Sequence, residues 1–170
     1  CVLVKLALYA HAIDLEITLI ASVDDLTLGD TKEGSLGIRM APSFRLKGKV
    51  AKGSALNSDG IAGKSVWGKR ASWISYWAPL KEEEISISLF DHPSNPRHPT
   101  WWHARDYGLV AANPFGVSNF EGKPKGTGDM VLTKGEEITF RYRILFHVGN
   151  PVDSEVSQKY LEWSVQKKSG

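Results

Sequence analysis

Residues 137–147 alternate without a break. Ile138, Phe140, Tyr142, Ile144 and Phe146 fall on one side, and Thr139, Arg141, Arg143, Leu145 and His147 fall on the other. A period of two held over that length defines a strand with one face in a core. The same period recurs at Ile13, Leu15, Ile17 and Leu19, and again at Ile85, Ile87 and Leu89. Shorter runs at 23–27, 36–40, 44–46, 72–78 and 130–132 read as further strands, with Pro42 confining its neighbour to an edge or an end. In 72–78 both faces carry bulk, Trp73 and Trp77 on one and Ile74 and Tyr76 on the other. The first residues, V-L-V-K-L-A-L-Y-A, read as a buried first strand or a leftover signal segment, with a lipoprotein Cys1 as a third reading.

Only one stretch changes period. Val156, Tyr160 and Trp163 are spaced for a helix over 154–168, with Asp153 or Ser154 as its N-cap. Residues 47–64 are rich in Gly, Ser and Lys and read as a hairpin or a long loop, with turn chemistry at Asn57-Ser58-Asp59-Gly60. Many short alternating strands and one late helix predict an all-β fold, an antiparallel β-sandwich with one C-terminal α-helix. At 170 residues one domain over 1–170 is expected, and the start at Cys1 reads as a fragment or a processed part of a longer chain.

Composition removes several classes. Twenty-one Lys and Arg against 19 Asp and Glu leave a net charge of +2, too small to argue for nucleic acid. A single cysteine excludes an internal disulfide framework and a multi-thiolate zinc site. No run approaches the ~20 apolar residues that a membrane helix needs. A periplasmic or secreted address is favoured over a cytoplasmic one, and nothing fixes the oligomeric state.

The chemistry concentrates between Phe90 and Gly116, F-D-H-P-S-N-P-R-H-P-T-W-W-H-A-R-D-Y-G-L-V-A-A-N-P-F-G. That stretch holds three of the five histidines and four of the eight prolines, so polar side chains sit on a stiff backbone. D-H-P-S-N-P-R-H-P-T from Asp91 and W-H-A-R-D-Y-G-L-V-A-A-N-P-F-G from Trp102 resemble a bacterial domain family of unknown function, whose members are often labelled "methane oxygenase PmoA". G-D-T-K-E-G from Gly29, N-S-D-G from Asn57 and W-G-K-R-A from Trp67 are similar to it as well. The resemblance covers most of Asp14 to Gly149 and corresponds to the C-terminal part of the family. It implies a fold and a site more than a reaction. Together with analogy, it suggests a partial sandwich of the galactose-mutarotase-like type.

Metal chemistry has a thin basis. His92, His98 and His103 lie close in sequence, but Pro93 and Pro99 force extended backbone at the first two, and the spacing fits no zinc pattern. We expect no metal and no cofactor. No G-x-S-x-G elbow and no phosphate loop is present. Carbohydrate chemistry fits best, with aromatic platforms flanked by polar side chains. Candidate catalytic residues are His103, Asp106, His92, Asp30 and Glu33. Candidate substrate-binding residues are Lys32, Asn57, Trp67, Arg70, Asn95, Arg97, Trp102, Arg105 and Asn113. His103 and Arg105 share a face, so His103 can serve as a base beside an anion-holding cation; a core histidine bonded to a backbone carbonyl is the structural alternative. Asp106 or Asp30 is the expected carboxylate partner of His103. These residues are expected around one concave surface.

Two function classes follow. One is an enzyme using acid–base catalysis on a glycoside or sugar acid, as a hydrolase, lyase or isomerase. The other is a non-catalytic sugar-binding or structural module. A metal-dependent oxygenase, as the family label suggests, is the third. The expected partner is a carbohydrate or another polar small molecule.

Overall fold

The computed structural model describes residues 1–8 and 11–165. Among them, eleven strands run in chain order: β1 Val2–Leu8, β2 Ala12–Ile20, β3 Leu26–Leu28, β4 Leu36–Arg39, β5 Ser54–Asn57, β6 Trp73–Leu80, β7 Glu83–Asp91, β8 Trp101–Ala104, β9 Leu109–Asn113, β10 Met130–Leu132 and β11 Glu137–Val148. Two α-helices, α1 Val117–Glu121 and α2 Val156–Ser164, and two short 3-10 turns accompany them. The strands form three sheets, a six-stranded one in the order β1-β2-β11-β7-β6-β5, a three-stranded one in the order β4-β9-β8 and the pair β10-β3. Every strand pairing among the described residues is antiparallel, so the chain is an all-β sandwich. No helix of the described residues is long and apolar enough to cross a membrane.

The alternation in β11 does what period two dictates. Phe140, Tyr142 and Ile144 are buried and lie opposite Ile17, Leu15 and Ile13 of β2. Phe140 and Tyr142, with Leu89, Ile74 and Tyr76, form the inner face of the large sheet, packed against Trp102, Ala104, Val110 and Ala112 of the small one. The outer residues of β11 pair by charge across the same register. The Arg143 guanidinium donates to both carboxylate oxygens of Asp14, at 2.6 and 2.7 Å, and Arg141 Nε donates to Glu16 at 2.8 Å. Farther along the outer face, Trp73 and Phe90 are covered by Val156, Tyr160 and Trp163 of α2 in a second apolar cluster.

Several expectations change. Residues 44–46 are not a strand. Pro42, with its fixed φ, starts a 3-10 turn over Pro42–Phe44, and the Phe44 ring is buried. The helix begins at Val156, and the residue before it is Glu155, held in a left-handed conformation (φ 54°). Asp153 belongs instead to a turn in which the Asn150 side-chain carbonyl accepts the N–H groups of Val152 and Asp153. The expected continuation of that helix over 166–168 lies outside the described residues. The first strand is not buried: β1 is the edge of the large sheet, and Val2, Leu3 and Val4 are each more than half exposed. Tyr9 and Ala10 of that segment are outside the described residues. The 47–64 stretch contains β5, and α1 has no precedent in the sequence pattern.

Candidate functional site

Alternation in β8 splits its residues between two faces. Trp102 and Ala104 pair with Ala112 and Val110 and enter the core, so Trp101 and His103 face outward. Segment 68–71 lies along the free edge of β8, where Gly68 N–H donates to Trp102 C=O, Trp102 N–H donates to Lys69 C=O and Arg70 bridges Trp101. On the outward side His103 lies opposite Ala111, which in turn lies opposite Gly37 of β4. These small neighbours leave the imidazole in a shallow trough. Space there is tight: a Cβ on Gly34 would come within 2.1 Å of Ala112 O, and one on Gly68 would meet the Phe120 ring at 3.1 Å.

Two aromatic rings close over His103. Trp67 packs at a 6.4 Å centroid distance and Phe120 at 6.2 Å, leaving His103 3% exposed. The Trp67 indole N–H donates to His103 Nδ1 at 3.3 Å. Nδ1 is therefore an acceptor, and the ring proton of the neutral form is on Nε2. Nε2 makes no hydrogen bond to the described residues, and it is not sealed from the surface. Burial pushes the His103 pKa below the ordinary histidine value, Arg105 and Lys32 push the same way, and Glu33 opposes them. Trp67 is bonded to His103, and Arg105, Glu33 and Lys32 lie near enough for their charges to act on it. Farther along the face, Arg105 and Arg39 both lie over the Tyr107 ring, at 5.4 and 5.3 Å. Arg70 lies over Trp101 at 4.4 Å, beside this group. The Trp101 indole donates to Glu121 at 3.1 Å.

The other sequence candidates are engaged with their own chain. Trp102 is fully buried on the opposite face of the strand, where its indole N–H donates to Ala71 C=O. A ligand on the His103 face does not reach it. Asp106 pairs with Lys64 at 3.7 Å, and Asp30 accepts from the N–H groups of Ser118 and Gly128. Neither expected carboxylate is bonded to His103. Asn113 ties the chain around it, donating to Thr31 C=O and accepting from the N–H groups of Phe115 and Gly116. Arg97 spends its guanidinium on the carbonyls of Pro114, Gly128 and Asp129. Asn57 shapes its turn by accepting from Asp59 and Ile61. Asn95 pairs with Asp91 and with both backbone groups of Arg141. His92 lies against Trp163 of α2 at 5.0 Å, with Nδ1 accepting the Ser94 N–H. Hollows of about 240 and 320 Å³ lie beside β5, lined by Leu56 and Trp73 and by Ala55 and Trp77. Among the described residues no three His, Cys, Asp or Glu side chains come together as a metal-binding group.

Phe120 and Tyr107 are the site residues that sequence reasoning misses. Tyr107 follows R-D within the central stretch and is open to that reading. Phe120 lies in an unpatterned stretch and gives no signal.

The buried Asp30 makes one expectation concrete. Burial opposes its ionisation, but the N–H groups of Gly128 and Ser118 outweigh that and hold its carboxyl below the usual value. A lowered folded-state pKa stabilises the fold above the unfolded value of about 3.9, and that contribution is lost as pH falls through the folded value. Urea melts of Asp30→Asn from pH 7 down to pH 2 therefore show a flatter acid limb below about pH 4 than the parent. Parallel limbs would show that Asp30 does not carry this linkage.

The fold and the face together define an all-β sandwich with a partly capped histidine among aromatic rings and cations. The chain belongs to DUF6807, a family of unknown function whose model matches residues 3–162. No curated protein and no solved structure matches the chain.

Proposed function

We propose that the outer face of the small sheet binds a sugar acid and that His103 exchanges a proton with it. One observation carries this reading: the Trp67 indole N–H fixes His103 Nδ1, leaving Nε2 unpaired at the edge of an aromatic ring that is itself 37% exposed. An exposed indole offers a flat apolar surface to the C–H face of a sugar. Lys32, Arg105 and Arg39 supply positive charge for a carboxylate. An imidazole kept neutral can take a proton, as lyase and isomerase chemistry on a uronate requires.

A non-catalytic sugar-binding module is the second reading. It is favoured by the absence, among the described residues, of any carboxylate hydrogen-bonded to His103. An oxygenase, the reading of the family label, finds no support in the positions of His92, His98 and His103, whose bonds go to separate partners.

Calorimetric titration with oligogalacturonate and with the matching neutral oligosaccharide tests the binding. The acidic sugar binds more tightly, and the preference shrinks with added salt, because exposed charges are screened. Trp67→Ala weakens binding roughly two- to tenfold, the worth of one aromatic contact of about 0.5–1.5 kcal/mol. Equal affinity for acidic and neutral sugars, or none for either, would overturn the proposal.

A further inference from the structure

A second histidine is organised more fully than His103. Asp91 ends β7 and is 1% exposed. Its Oδ1 accepts the Asn95 side-chain N–H at 2.8 Å, and its Oδ2 accepts the Thr100 N–H at 2.9 Å. The loop over 92–100 is therefore pinned to Asp91 without help from His98. Yet His98 Nδ1 lies 2.7 Å from Asp91 Oδ2. A carboxylate can only accept, so Nδ1 carries the proton and Nε2 of the neutral ring carries the lone pair. The nearest group to Nε2 is the Tyr160 hydroxyl at 3.5 Å, at the limit of a hydrogen bond. That hydroxyl donates its single proton to the Asp91 carbonyl at 3.2 Å. Nε2 keeps its lone pair, and the His98 side chain is 18% exposed. A buried carboxylate that fixes the tautomer and compensates the charge formed on protonation is what a histidine base requires.

A cation is held against the same loop. Arg70 Nε donates to Pro99 C=O at 2.8 Å and Nη2 donates to Arg97 C=O at 3.0 Å, while its plane lies on Trp101. Nη1 has no acceptor among the described residues.

We propose that Asp91 and His98 form a general-base dyad that hydrolyses an ester, with Arg70 facing the charge that develops on the acyl oxygen. His98 Nε2 takes a proton from water as the water oxygen bonds to the acyl carbon. The carbonyl oxygen becomes anionic, and the Arg70 cation, held on the Arg97 and Pro99 carbonyls of the same loop, offsets its charge. The C–O ester bond then breaks, and the leaving alkoxide takes the proton from Nε2. The products are a carboxylic acid and an alcohol, and His98 is neutral again. This inference does not rest on the sugar-acid reading of the His103 face.

Hydrolysis of p-nitrophenyl acetate by the full chain tests it. His98→Gln loses roughly 10²-fold or more, the scale of a general base, while His11→Gln, on an exposed imidazole, keeps the parent rate. Arg70→Gln lowers kcat more than it raises KM, because the contact is to charge present only in the transition state. Parent and His98→Gln hydrolysing at the same rate would overturn the proposal. Long-range ¹⁵N–¹H correlation spectra of the parent protein give a second reading that needs no variant to fold. They show the proton of His98 on Nδ1; a proton on Nε2 with Nδ1 bare would equally overturn it.

Discussion

Trp102→Ala lowers the unfolding free energy by about 3–5 kcal/mol, the range for truncating a large buried aromatic. Trp102 is 0% exposed and packs in the main core between the two sheets. Its indole N–H also donates to Ala71 C=O at 2.9 Å, so the variant leaves that carbonyl without its partner. Domains of this kind are stable by only about 5–15 kcal/mol, so the loss takes a large share of the total. Urea denaturation of the parent, Trp102→Ala and Trp102→Phe measures it. The Phe variant keeps most of the volume and loses the hydrogen bond, so it falls between the other two. The same proteins separate core from platform. Below the unfolding transition Trp102→Phe binds sugar as the parent does, because Trp102 and His103 point to opposite faces of β8. Weakened binding in a fully folded Trp102→Phe would show that Trp102 shapes the ligand face.

Strands are legible here because a half-buried sheet writes period two into the chain. Residues 137–147 carry that period and lie within β11, and the Arg141–Glu16 and Arg143–Asp14 pairs follow from its register. Loops are different. Asp30, Arg97, Asn95 and Asn113 look like ligand-binding groups in sequence, and in the fold they hold N–H and C=O groups of their own chain. A backbone carbonyl and a sugar hydroxyl ask the same chemistry of a guanidinium, so residue type alone does not separate the two uses. Distance along the chain hides the rest. The Trp67–His103 bond spans 36 residues, and Phe120 reaches His103 from a helix of five residues. Alternation puts His103 on the outward face of β8, but it says nothing of which loop covers that face. His98 illustrates the reverse: the sequence shows it seven residues after Asp91, and only the folded loop turns that spacing into contact.

His103→Gln removes sugar-acid turnover by roughly 10²–10⁴-fold, the contribution of a positioned acid–base group, and leaves binding largely intact. Gln keeps one donor and one acceptor, so the Trp67 N–H retains an acceptor and the cap over the trough stays in place. His103→Ala empties the space under Trp67 and Phe120 and adds a loss of stability. The pH profile gives the sharper signature. Burial first, then Arg105 and Lys32, lower the His103 pKa, so the base form persists below the ordinary value of about 6.5 and activity falls only at more acid pH. Arg105→Gln removes one of the groups that depress the pKa, so the acid limb moves to higher pH. Glu33→Gln removes the opposing carboxylate and moves it to lower pH. A merely structural histidine predicts neither displacement. Stability follows the same sign. With the folded-state pKa depressed, the unfolded chain binds the extra proton, so this contribution is full above about pH 6.5 and is lost as pH falls through the folded value. An acid limb that stays put in both variants would show that His103 is not the titrating base. A folded His103→Gln with parental turnover would show that it is not the catalyst.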